Sequence, residues 1–133
     1  MNSELPYLDQ AGVDAYQSGE LVKQLGYVMQ HSPFYRDHFA QHAVGSITGI
    51  RDLSALPVTT KTHLQQRNMD FLCVDLQRVI DYITTSGTTG DPVMFAVTER
   101  DLCRLADNEY ASFICAGGTS NDIYQLMLTL DRR

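Results

Sequence analysis

The chain has 133 residues, 44% of them hydrophobic and 20% charged, which is ordinary composition for a globular chain able to bury a core. Sixteen acids against ten bases leave a net charge of −6, which disfavours sequence-independent nucleic-acid binding because no basic patch is present to displace counterions. No run reaches the roughly 18 apolar residues of a membrane span, and Met1-Asn2-Ser3-Glu4-Leu5-Pro6 lacks a basic stretch followed by an apolar one, so the expected location is the cytoplasm.

From Ser18 to Gln30, the apolar residues Leu21, Val22, Leu25, Val28 and Met29 recur with helical spacing and predict one core-facing stripe. Ser32 followed by Pro33 predicts an N-cap with proline at the first helical position, opening a second helix that turns Tyr35 and Phe39 inward. Phe34, Tyr35, Arg36 and Lys61 are read as structural: a staple, a core aromatic and solvated charges. Gly45-Ser46-Ile47-Thr48-Gly49 is a loop. A short helical turn is expected around Leu53 and Leu56, ended by Pro57, and Thr60 caps a third helix to about Gln66. Phe71-Leu72-Cys73-Val74 fits either strand or loop.

Residues 79–84 and 93–98 are rich in β-formers and predict two strands. Thr98 with Asp101 predicts a helix start, and the helix should run to about Cys115 with Leu102, Leu105, Ala106, Tyr110, Phe113 and Ile114 buried. Gly117-Gly118 closes it. Residues 123–130 read as a further strand. The order of a hairpin, a crossover helix and another strand implies a mixed sheet. The fold class is therefore α/β with α+β character: residues 1–68 mainly helical, residues 69–133 mixed, with the loop 84–92 between strands. A sheet this small leaves an apolar edge for the remainder of a longer enzyme or for a second copy in a homodimer.

Three cysteines, Cys73, Cys103 and Cys115, have no paired spacing, so reduced thiols are expected, with Cys103 and Cys115 as small core residues of one helix. His38 and His42 are four apart and would share a helix face beyond His31, but a zinc site needs more ligands than this pattern supplies, and no metal ligand is assigned.

The segment carrying chemistry is Thr84-Thr85-Ser86-Gly87-Thr88-Thr89-Gly90-Asp91-Pro92. Glycine lets main-chain amides approach an anion closely, and the neighbouring hydroxyls add donors, a combination suited to phosphate. It is not a Walker A loop, since the glycines are three apart, no lysine follows and a strand rather than a helix comes next. An irregular, accessible connection between two antiparallel strands is expected.

Ser86-Gly87-Thr88-Thr89-Gly90-x-Pro92 resembles the phosphate-binding loop of the adenylate-forming enzymes, the acyl-CoA synthetase and luciferase superfamily. Ser32-Pro33-Phe34-Tyr35-Arg36, Phe39, Asp52-Leu53 and Leu56-Pro57-Val58-Thr59-Thr60-Lys61, in that order before the loop, are similar to the N-terminal portion of a phenylacetate-CoA ligase. The resemblance implies part of an adenylate-forming large domain, and a parent enzyme that uses ATP and Mg²⁺ to activate an aryl or phenylacetate-like carboxylic acid and passes it to coenzyme A. It also implies that Thr85, Ser86, Gly87, Thr88, Thr89 and Gly90 hold phosphate, with Pro92 fixing the loop's exit.

The chain differs from many members in having Asp91 where they have lysine, which removes a direct charge contact to phosphate. It also stops before the family's adenine-binding, acyl-binding and lid regions. The resemblance therefore assigns no catalytic residue here and implies no turnover by this stretch alone. Two alternatives stay open: a ligase with an amine or protein-thiol acceptor, and a nucleotide- or anion-binding or structural module that keeps the fold without catalysis.

Overall fold

The computed structural model describes residues 8–85 and 92–125. It divides into two units, Met1–Glu99 and Arg100–Arg133.

The first unit opens with α1 (Gln10–His31), longer at its start than the apolar stripe predicts. The Asp9 side chain caps it by accepting the Gly12 N–H at 2.8 Å, and the Gln10 side chain donates to Asp14 one turn on, so capping and an exposed polar pair extend the helix beyond its buried face. Leu25 and Val28 are buried and Leu21 and Met29 are half-buried. Val22 departs from expectation, being 45% exposed at the margin of the stripe.

Ser32 ends α1 and begins α2 (Pro33–His38). Its N–H donates to Val28 O at 2.9 Å, and its Oγ accepts from Tyr35 N and donates to Asp70 O at 2.8 Å. A fully buried hydroxyl is thus satisfied in both roles. Phe34, only 2% exposed, stacks on Phe71 with ring centroids 4.0 Å apart and is the centre of the aromatic packing. Phe39 is buried with Leu25 and Ile47, and Tyr35 packs against them.

The expected His38/His42 face does not form. After Phe39 the chain tightens into i→i−3 hydrogen bonds, Ala40 N to Asp37 O and His42 N to Phe39 O, so His42 is not a helical turn beyond His38. His38 instead stacks on Phe34 and lies edge-on to His63. Among the described residues no group of three or more His, Cys, Asp or Glu is placed to hold a metal.

Short 3₁₀ turns cover Val44–Ser46 and Ile50–Ala55, and Thr60 caps α3 (Lys61–Gln66) as its sequence predicts. A 3₁₀ turn over Asn68–Phe71 and irregular chain after it resolve the strand-or-loop ambiguity there. This turn is docked on the helices: Arg67 pairs with Asp37 at 2.8 Å and with Asp70 at 2.7 Å, and Tyr27 Oη donates to Cys73 O at 3.2 Å.

Two antiparallel strands follow, β1 (Val79–Thr84) and β2 (Met94–Thr98). Thr84 pairs with Met94, Ile83 with Phe95, Tyr82 with Ala96 and Asp81 with Val97, and a bulge at Ile80 shifts the register. Val93 and Val97 are buried, whereas Ile80, Tyr82, Ile83, Met94 and Phe95 are exposed.

The second unit contains α4, which spans Glu99–Cys115. Gly117 at φ +85° gives its N–H to Ile114 O, and Gly118 gives its N–H to Phe113 O, the paired bonds of a Schellman motif. The expected burial of Leu102, Leu105, Ala106, Tyr110, Phe113 and Ile114 is not found, and all six are exposed. The periodicity marks a face that is apolar, and within the second unit the Tyr124 ring lies against Phe113 with centroids 4.8 Å apart. Cys103 and Cys115 are likewise exposed rather than core residues, and only Cys73 is half-buried, with burial raising its thiol pKa. Ile123 to Gln125 are irregular, and the rest of the expected strand, 126–130, lies outside the described residues. Among the described residues, no helix is long and apolar enough to cross a membrane.

Candidate functional site: the stem of the hydroxyl and glycine loop

The hairpin brings the two ends of the candidate loop together at Thr85 and Val93. Thr85 N donates to Val93 O at 3.0 Å, continuing the ladder one step past the Thr84–Met94 pair. In a regular hydrogen-bonded pair the second bond would run from Val93 N to the Thr85 carbonyl. Here Val93 N donates instead to Thr85 Oγ1, at 3.0 Å. The side chain closes the stem.

That bond uses one acceptor position of the Thr85 hydroxyl and leaves its hydrogen available to donate. Among the predicted phosphate-holding residues, Thr85 is the one the structure describes, and it sits at the stem. Ser86, Gly87, Thr88, Thr89 and Gly90 lie outside the described residues, as does Asp91. Pro92 is exposed at the exit and Val93 beside it is 3% exposed, which anchors the exit in packed structure.

A second contact holds the exit strand, one that sequence reasoning missed. Asn68 Nδ2 donates to Met94 O at 2.7 Å. Carbonyls on alternate residues of an antiparallel strand point away from the partner strand, and Met94, in the pair next to the Thr85 closure, offers its oxygen on the outer edge of β2. A cavity of about 140 Å³ adjoins this contact, lined by Leu64, Phe71, Leu72, Met94 and Ala96 together with Asn68. It is mainly apolar and suits packing rather than ion binding. An Asn inside a polar run carries no pattern, so only the folded proximity of positions 68 and 94 reveals it.

No protein-family model matches the chain. Over 127 residues it is 30% identical to the phenylacetate-coenzyme A ligase of Escherichia coli (strain K12), an alignment covering 91% of this chain and 29% of that protein. The phenylacetate-coenzyme A ligase of Thermus thermophilus is 31% identical over 117 residues, 86% of this chain and 26% of its own length. The chain thus spans under a third of the length of these relatives. Among solved structures, a 2-hydroxyisobutyryl-CoA ligase in complex with 2-HIB-AMP and CoA superposes with a TM-score of 0.68 at 26% identity, covering 76% of this chain and 23% of that one.

Proposed function

We propose that this chain, similar in sequence to phenylacetate-CoA ligases and in fold to a 2-hydroxyisobutyryl-CoA ligase, supplies the polyphosphate-holding loop of an enzyme that activates a carboxylic acid with ATP and transfers it to coenzyme A. The observation that carries this reading is the strand–loop–strand arrangement around Ser86-Gly87-Thr88-Thr89-Gly90, closed at its base by Thr85 and Val93. Similarity to CoA ligases over most of the chain supports it. The proposed acid is aryl or phenylacetate-like, after the named relatives.

In this chemistry a carboxylate oxygen bonds to the α-phosphorus of ATP as the bond to the departing pyrophosphate breaks. A CoA thiol then attacks the acyl carbon and AMP leaves. The first step brings two anions together and shifts charge onto pyrophosphate. Main-chain amides at Gly87 and Gly90 and the hydroxyls of Ser86, Thr88 and Thr89 suit that charge in number and type, and their role is positioning and charge stabilisation. Thr85 and Val93 hold the stem. Mg²⁺ is proposed to arrive bound to the nucleotide, where it offsets the charge of the polyphosphate.

A second reading, nucleotide binding without turnover, draws support from Asp91, an acid beside the proposed phosphates. Acid-dependent ATP–pyrophosphate exchange by the whole protein, scanned over aryl and fatty acids, separates the two. Gly87→Val and Gly90→Val are expected to abolish exchange in folded protein, and Thr88→Ala to cost about 1 to 3 kcal/mol of transition-state stabilisation. Asp91→Lys is expected to lower the KM for Mg·ATP by replacing repulsion with attraction, or to leave it unchanged where the side chain points to solvent, and a marked rise would give Asp91 a favourable role instead. Exchange at the wild-type rate in folded glycine variants rejects the loop as the phosphate clamp.

A further inference from the structure

We propose that Asn68 is a positioning residue for the polyphosphate loop, its side-chain amide fixing the loop's exit strand to the helical part of the first unit through Met94 O. The inference rests on the loop's proposed role in holding phosphate.

The two ends of the loop are held differently. At the entry, β1 is exposed from Ile80 to Thr85 and receives its hydrogen bonds from β2. The exit has an anchor beyond the hairpin. Asn68 begins the Asn68–Phe71 turn, whose flanking Arg67 is paired with both Asp37 and Asp70 and whose Asp70 carbonyl accepts from the fully buried Ser32 hydroxyl. That turn is held by Ser32 at the α1–α2 junction, by Asp37 on α2 and by the Phe34–Phe71 stack. Its last polar connection runs outward, from Asn68 Nδ2 to Met94 O at 2.7 Å. Met94 is one residue beyond Val93, whose N–H is held by Thr85 Oγ1. A fixed body, a single amide and the closing pair of the stem therefore form one continuous path.

A carboxamide suits this position because it presents a neutral donor to a carbonyl. Aspartate of the same shape would set oxygen against oxygen. Alanine would free the carbonyl to water and leave the exit strand held by β1 and by packing of Val93 and Val97. A loop whose exit is less fixed loses preorganisation for the nucleotide and not for the acid. This separates positioning from a general stability role.

The test compares Asn68→Ala, Asn68→Asp and Asn68→Gln in the whole protein, with Gln66→Ala at an exposed neighbouring position as control. In acid-dependent exchange, the alanine and aspartate variants should raise the KM for Mg·ATP about tenfold, the equivalent of one lost hydrogen bond, with the KM for the carboxylic acid unchanged. Glutamine, which keeps the amide, should recover most of the loss. Hydrogen–deuterium exchange over residues 92–97 should accelerate in the alanine and aspartate variants and not in the control.

An unchanged KM for Mg·ATP, a parallel rise in both KM values, or unaltered exchange at 92–97 overturns the proposal. The phosphate-loop reading fails separately, if folded Gly87→Val retains wild-type exchange. In that case the amide-exchange result still reports whether Asn68 fixes the strand.

Discussion

The helices and the hairpin of the first unit contain similar apolar side chains and treat them in opposite ways. Around Ser32, the chain buries Phe34, Phe39, Leu25 and Val28 and satisfies the buried Ser32 hydroxyl as both donor and acceptor. The hairpin, by contrast, leaves Ile83 and Phe95 exposed on one face and Tyr82 and Met94 on the other. One region is closed by its own residues, and the other is held from one side by a docked turn. Stability should therefore be concentrated in the helices, while the hairpin owes its placement to a few anchoring contacts.

Phe34→Ala should break the comparison most severely. Removing a 2%-exposed aromatic stacked on Phe71 is expected to cost about 3 to 5 kcal/mol, read as a fall in the urea midpoint at unchanged slope. Ser32→Ala comes next, at about 1 to 3 kcal/mol, since it removes a helix cap and orphans the Asp70 carbonyl. Ile80→Thr, at a 56%-exposed bulge position, should change stability by no more than about 0.5 kcal/mol in the 133-residue chain. A core-sized loss there would mean that the hairpin is covered in solution.

The smallest effect concerns acid. The Asp52 carboxyl is held below the usual carboxylate range by the Thr48 N–H, the Thr48 hydroxyl and the Gly49 N–H. A lowered folded-state pKa stabilises above the unfolded value, near about 4, and that contribution is lost as pH falls through the folded value. Asp52→Asn should flatten this acid limb in urea titrations below about pH 4 and leave the neutral-pH slope unchanged.

Features written in short-range chemistry were legible in the sequence. Ser32-Pro33, Thr60, the two strands and the Gly117-Gly118 stop follow from local capping and backbone rules, and the structure places each where those rules put it. Burial was less legible, because periodicity says which residues share a face and not whether anything covers that face. Hence α4 was expected to bury its apolar side and exposes it. The early start of α1 was signalled by Asp9, a cap with no apolar stripe behind it. At the candidate site the loop's composition pointed to phosphate. The Thr85 closure and the Asn68 contact, made across eight and 26 residues, depend on the folded chain.

The bond from Asn68 to Met94 has a consequence for self-association. An exposed strand edge is a template on which another chain can add a strand, and hairpins with apolar faces are especially prone to it. At Met94 the outward carbonyl is already taken by a side chain, so an incoming strand must displace Asn68 before it can pair there. The amide thus occupies the edge of β2 beside a hairpin whose Ile83, Phe95, Tyr82 and Met94 are exposed, and it is expected to disfavour strand addition there.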